Sequence, residues 1–303
     1  MAAQAAQIRI GVSGWRYPPW RGGFYPSGLT QAKELAFASR QFPAIELNGS
    51  FYSLQRPASY LHWAADTPDG FVFTVKGPRY VTHLLRLRNA EVAMANFFAS
   101  GVLALGAKLG PFLWQLPPNL PYDEPVLDAF LARLPRDTDA ALALARGRDP
   151  ARMSGKEWLG PVEPLRLRHA LEVRHPSFCQ PQTVELLRRH GVALVVADAP
   201  GYWPEVGDVT ADFVYLRLHG AQQLYASGYT DAQLATWAGR IRAWARGAAP
   251  TDMTRLSNAP AAAAPAAHNV FCFFDNTGEN HAPRDALTLA RLLALDDQLQ
   301  IPG

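Results

Sequence analysis

Short apolar runs rich in β-branched and aromatic residues recur along the chain, and each closes on a polar cluster. They cover residues 8–12, 44–47, 71–75, 111–116, 169–173, 192–197, 213–218 and 270–274. Runs that are apolar at nearly every position suit strands covered on both faces, as in a parallel sheet. Between most of them the spacing changes to that of a helix. Residues 30–42 carry Leu35 and Phe37 and stop before Pro43. Pro57 opens a second helix with Leu61 and Trp63 inward, and Asn89 stands where it would cap a third containing Val92, Phe97 and Phe98. Residues 123–134 set Leu127, Phe130, Leu131 and Leu134 on one face. Pro181 leads into Val184, Leu186 and Leu187. Thr230 and Gln233 form a capping-box pattern ahead of Leu234, Trp237, Ile241 and Trp244. A last helix is expected over 284–295. The sixth and seventh runs have no helical pattern between them, and 201–208 reads as loop.

Eight strands alternating with helices predict a single (β/α)8 barrel of the triosephosphate-isomerase type. A doubly wound open sheet is the rival, and it is weakened because no GxGxxG follows the first run. Residues 136–164 and 247–268 read as insertions, the second containing an Ala/Pro tract. Neither is large enough to be a domain.

Side chains alternate along a strand, so position parity assigns faces. Most polar residues fall on one parity. Glu46 shares a side with Asn48, Thr74 with Lys76, Leu113 with Gln115, and Glu172 with Arg174. In the sixth run Leu194, Val196 and Asp198 share a side, and in the seventh Tyr215, Arg217 and His219 do. The eighth run leaves Asp275 and Asn276 undecided. These residues close their strands at the C-terminal end, where barrel enzymes place their chemistry. A charge pointing into a barrel is costly unless it is paired or solvated. Lys76, Arg174 and Arg217 can balance Glu46, Glu172 and Asp198. The bland alternative is an ion-pair network that plugs the mouth.

Lys76 has three readings: an anion contact first, a salt bridge to Glu46 or Glu172 second, and a Schiff-base amine third. Arg174 and Arg217 suit a phosphate or carboxylate through their fork geometry. His219 reads as a general acid/base or as a satisfied structural histidine. His83 is a lesser candidate, and His62, His169 and His190 are not expected in the site. His175 and His219, with the carboxylates, leave room for one divalent ion, although no HxH, HExxH or DxH spacing marks a metal cluster. The segment after the first run holds Trp15, Tyr17, Trp20, Phe24 and Tyr25. Such rings either stack on a ligand or pack on one another, and Trp15 is the one expected to reach a ligand. No P-loop or GxSxG elbow is present, so no organic cofactor is signalled.

The net charge of +3 over 303 residues announces neither a nucleic-acid nor a membrane surface. Two distant cysteines, Cys179 and Cys272, make no disulfide framework, and a reducing cytoplasm is expected. Residues 1–7 lack the basic and apolar segments of a secretory signal, and no run approaches a membrane span.

Several blocks are familiar as a set: Gly14-Trp15 with Trp20 and Phe24-Tyr25-Pro26; Glu46-Leu47-Asn48 with Phe51-Tyr52; Phe73 to Lys76; Lys108-Leu109-Gly110 through Gln115-Leu116-Pro117-Pro118. Glu172-Val173-Arg174-His175, Tyr215 to Gly220, and Phe274-Asp275-Asn276-Thr277 complete it. In this order the chain resembles the YecE-like family, a bacterial and archaeal group with a domain of unknown function. The resemblance implies a triosephosphate-isomerase-type barrel and no established reaction. It also implies an architecture similar to endonuclease IV, on which ground DNA binding has been suggested. The family tends to show two adjacent Asn at the last strand end, where this chain has Asp275 and Asn276.

The expectation is therefore an enzyme, a hydrolase or lyase, acting on a small anionic or phosphorylated substrate at the barrel mouth. Glu46, Lys76, Glu172, Asp198 and His219 are its candidate catalytic residues. Trp15, Asn48, Gln115, Arg174, His175, Arg217, Asp275 and Asn276 are its candidate binding residues. A nucleic-acid ligand and Schiff-base chemistry at Lys76 are the alternatives.

Overall fold

The computed structural model describes residues 6–257 and 267–295. Eight parallel strands close into a barrel in chain order. They are β1 (Ile8–Ser13), β2 (Ala44–Leu47), β3 (Val72–Lys76), β4 (Leu109–Gln115), β5 (His169–Glu172), β6 (Ala193–Asp198), β7 (Phe213–Leu218) and β8 (Asn269–Phe274). The helices outside them are α1 (Glu34–Gln41), α2 (Gly49–Tyr52), α3 (Pro57–Asp66), α4 (Glu91–Ala99) and α5 (Glu124–Ala132). They continue with α6 (Thr138–Arg146), α7 (Pro150–Met153), α8 (Pro181–His190), α9 (Asp231–Ala245) and α10 (His281–Leu292). Among the described residues no helix is long and apolar enough to cross a membrane.

Alternation along the strands makes two apolar layers. Ala44, Leu113, Ala170, Ala193, Val195, Phe213, Tyr215, Phe271 and Phe273 fill the barrel interior. Ile45, Leu47, Phe73, Val75, Phe112 and Trp114 face the helices. The interior is crowded enough that a Cβ on Gly11 would stand 2.0 Å from the Ala44 carbonyl oxygen. Only glycine lets β1 approach β2 there. His169 is structural: it accepts from Trp114 Nε1 at 3.2 Å, and its Nε2 lies 2.7 Å from the Pro135 carbonyl.

The helix caps follow local chemistry. Asp123 accepts from Val126 N at the start of α5, and Thr230 and Gln233 form the capping box of α9. Two helical details differ from the pattern. Leu61 and Val92 are half exposed, while Tyr60 takes the inward position on α3. Asn89 sits at φ 48° and makes no cap, because Ala90 precedes α4 directly.

The segment 136–164 folds into α6 and α7, and α6 packs on α4. The segment between β6 and β7 has no helix. In its place Gly207 N bonds the Thr254 carbonyl, and the Asp208 carboxylate accepts from Leu256 N and Ser257 N. The chain after α9 thus fastens the helix-free segment. The Ala/Pro tract lies mostly outside the described residues.

Candidate active site at the mouth of the barrel

The interior parity of β7 runs from apolar to charged, from Phe213 and Tyr215 to Arg217 and His219. Arg217 is fully buried. Its Nε donates to both oxygens of Glu46 at 3.1–3.2 Å, and Nη2 donates to Glu46 Oε1 at 2.8 Å. Nη1 donates to Glu172 Oε2 at 2.7 Å, and Nη2 reaches Asp275 Oδ2 at 2.9 Å. Glu46 also accepts from Ser13 Oγ at 2.8 Å and from the Tyr215 hydroxyl at 2.7 Å. Burial and the Glu46 charge keep the Tyr215 phenol protonated far above its usual range, so it remains a donor.

Ionic groups stripped of water are stable only when their remaining donors and acceptors are satisfied. Arg217 nearly meets that condition: four of its five N–H donors go to three carboxylates. Burial alone would raise the pKa of Glu172, but Arg174 and Arg217 outweigh it and hold the carboxyl well below its usual range. Asp275 is lowered likewise: burial pushes it up, and Arg217 and His219 overcome the push.

The opposite side of the mouth is less complete. The Lys76 side chain is buried, yet its Nζ has no carboxylate or hydrogen-bond partner among the described residues. Its neighbour is the face of Phe51, whose centroid is 4.2 Å away. The Ser50 hydroxyl donates to the Lys76 carbonyl at 2.6 Å, which pins α2, and Phe51 with it, to the end of β3. Burial first, then the positive charge of Arg217, brings the Lys76 ammonium down to about 8, against the pull of Asp275, Glu46 and Glu172. Arg174 donates through Nε to Glu172 Oε1 at 2.6 Å. Its guanidinium carbon lies 3.5 Å from the Trp203 ring centroid, and Nη2 stands 3.5 Å from the Tyr225 hydroxyl.

His219 is buried between Trp203 and Tyr225, both edge-on to it. Its Nδ1 lies 3.1 Å from Asp275 Oδ2, and its Nε2 is 4.0 Å from Glu172 Oε1. An Nδ1–H facing Asp275 leaves Nε2 as the basic nitrogen. Burial lowers the His219 pKa, and Asp275 opposes the shift. Gly220 then turns at φ 113°, where a side chain would strike the carbonyls of Gln223 and Ser227. The turn carries Tyr225 back, so that its backbone N–H bonds the His219 carbonyl at 2.6 Å.

Gln115 is buried on the interior parity of β4, and Asn48, half-buried at the end of β2, has a buried Oδ1 with no partner. His83 belongs to the same space. It stands edge-on to Phe51, and burial together with Lys76 and Arg174 lowers it to about 4. The expected balance of three cations and three carboxylates is present, with Asp275 in the place foreseen for Asp198.

Four expected site residues stand elsewhere, and one is spoken for. Ala193 and Val195 are the interior residues of β6, so Leu194, Val196 and Asp198 face the helices. The Asp198 carboxylate accepts from Tyr229 Oη at 2.9 Å and from Trp237 Nε1 at 3.2 Å, which ties β6 to α9. Asn276 points outward and donates to the Ser227 carbonyl and Asp285, anchoring the start of α10. His175 accepts from Ser177 N and caps the turn Pro176–Phe178. Trp15 is buried against Trp63 and Phe73, and Trp20, Phe24 and Tyr25 pack on one another. Arg217 is in the site, but four of its five N–H donors are spent on carboxylates. The pattern did not single out Ser13, Trp203 or Tyr225. The last two lie in loops, where no periodicity marks them. Among the described residues no three His, Cys, Asp or Glu side chains are grouped as a metal site.

The architecture is that of a barrel protein with a charged, partly unsatisfied site at the C-terminal ends of its strands. A family model described as "Protein of unknown function DUF72" matches residues 9–302, and the chain belongs to that family. The chain is 27% identical over 198 residues to the UPF0759 protein YecE of Escherichia coli K12, which is 63% of this chain and 59% of that protein. It is 30% identical over 116 residues to the UPF0759 protein YunF of Bacillus subtilis, covering 37% and 40% of the two chains. The match thus spans less than two thirds of these relatives. The crystal structure of a DUF72 family protein of Thermotoga maritima superposes with a TM-score of 0.67 at 23% identity, over 95% of this chain and 99% of that one. A DUF72 family protein of Enterococcus faecalis gives 0.67 at 17% identity, over 95% and 96%. At these identities the likeness concerns the fold.

Proposed function

We propose that the protein is an enzyme, a hydrolase or lyase, acting on a small substrate that carries a carboxylate or phosphate at the barrel mouth. Arg174 and Lys76 are the anion contacts, and the Asp275–His219 pair moves protons. Glu46 and Glu172 hold the two arginines rather than serve as acid or base. The observation that carries this reading is the unequal state of the cations: Arg217 is matched by three carboxylates, whereas Lys76 faces an aromatic ring with no acidic partner. An arriving anion supplies the missing charge.

Titration calorimetry with inorganic phosphate and sulfate tests the proposal. Binding weakened at least about tenfold by Lys76→Met is the expected result, since a charge-assisted contact is worth roughly 1.5–3 kcal/mol. Absence of binding to the wild-type protein overturns it. Nucleic acid offers the same phosphate chemistry, and its bases need exposed rings to stack on; Trp15, Trp20 and Tyr25 are buried, which leaves exposed rings such as Tyr52, Tyr202 and Tyr225 for that role. Oligonucleotide binding at low salt that Lys76→Met abolishes would favour that alternative.

A further inference from the structure

We propose that the substrate is a carbonyl-bearing anion, such as a 2-oxo acid or an aldehyde acid, and that Lys76 Nζ forms an imine with its carbonyl carbon. This rests on the anion reading above and names the substrate class within it.

Imine formation needs a neutral amine, which an exposed lysine offers only rarely at neutral pH. Two features of Lys76 favour one. Its side chain is buried, and no carboxylate stands close enough to fix the ammonium, whose nearest contact is the Phe51 ring. The pull of burial and of Arg217 brings it down to about 8. The chain has only three other lysines, and they differ. Lys108 donates to the Ala64 and Thr67 carbonyls and to the Thr67 hydroxyl, so its Nζ is tied up at the end of α3. Lys33 and Lys156 are exposed. Arg174, braced on Trp203 and with its Nη1 unpartnered among the described residues, supplies the contact for the carboxylate of the same molecule.

The step balances without an external redox partner. The Nζ lone pair adds to the carbonyl carbon, and the oxygen takes a proton. The carbinolamine hydroxyl then leaves with a second proton as water while nitrogen loses its hydrogen, giving the imine. His219 Nε2, without a partner of its own, serves as the proton carrier, and Asp275 positions it.

The test uses the wild-type protein with glyoxylate and cyanoborohydride at pH 7, followed by peptide mass mapping. Reduction of the imine leaves one carboxymethyl group on the lysine. Lys76 is expected to label at least about tenfold faster than Lys33 or Lys156, because each pKa unit is tenfold in neutral amine. Sulfate is expected to suppress labelling of Lys76 and leave the exposed lysines unaffected. Labelling of Lys76 no faster than the exposed lysines, with sulfate still bound in calorimetry, overturns the imine and leaves the anion reading intact. Loss of both labelling and sulfate binding overturns both.

Discussion

Arg217 and Lys76 project into the same mouth and illustrate opposite solutions to burying a cation. Arg217 distributes its donors over Glu46, Glu172 and Asp275, and its charge becomes part of the barrel's internal structure. Lys76 touches an aromatic ring and carries its charge without a partner. A saturated ion-pair network contributes to architecture. An unsaturated cation beside it costs stability and, on the function proposed above, is where an anion binds. The comparison separates two roles that one inventory of charged residues cannot.

Breaking the saturated half gives the largest expected effect. Arg217→Met leaves three carboxylates facing one another and should destabilise the fold by about 3–5 kcal/mol, the range for removing one partner of a buried pair. Thermal or urea unfolding measures it, and a loss below about 1 kcal/mol contradicts the saturated description. Acid probes the same half. Glu172 and Asp275 are held below their usual values of 4.5 and 3.8, so their stabilisation is complete above pH 4.5 and is lost as the pH falls through and below that range. Glu172→Gln should flatten the decline of stability in acid.

The unsaturated half behaves oppositely. Lowering Lys76 from 10.5 to about 8 opposes folding by about 3 kcal/mol at neutral pH. Lys76→Met should therefore leave the protein as stable or raise its melting temperature while weakening anion binding at least about tenfold. The unfolded chain holds more protons between pH 8 and 10.5, so wild-type stability should rise across that window and the variant's should not. The smallest effect sharpens the comparison. Trp203→Ala removes the ring beneath Arg174 and should cost about 1 kcal/mol of anion affinity, with little change in unfolding.

The frame that carries this contrast is legible in the sequence, whereas the contrast itself is not. The eight apolar runs coincide with the strands to within a residue or two at either end, and the interior parity of β2, β3, β4, β5 and β7 follows from their polar residues. β6 failed because Leu194 to Ala197 is apolar at every position, so Asp198 alone set the phase. Its partners, Tyr229 and Trp237, lie on another element and leave no local trace. Density of aromatic residues marked the loop after β1, but composition does not say whether a ring faces a ligand or a neighbouring ring. Saturation of Arg217 was likewise hidden, since it depends on Glu46, 171 residues away in the chain. Trp203 and Tyr225, which brace Arg174 and His219, sit in loops whose sequence carries no period.

The missing helix between β6 and β7 has a mechanical consequence. Elsewhere a helix face buttresses the wall, but here one buried apolar side chain, Val206, the Thr210 hydroxyl and the Asp208 carboxylate share the restraint with a few backbone amides. Segments held this way open at a lower free energy than the surrounding scaffold. Because Trp203 rides on that segment, the backbone amides beneath the Arg174 platform should exchange with solvent sooner than those of the strands, which hydrogen exchange would measure.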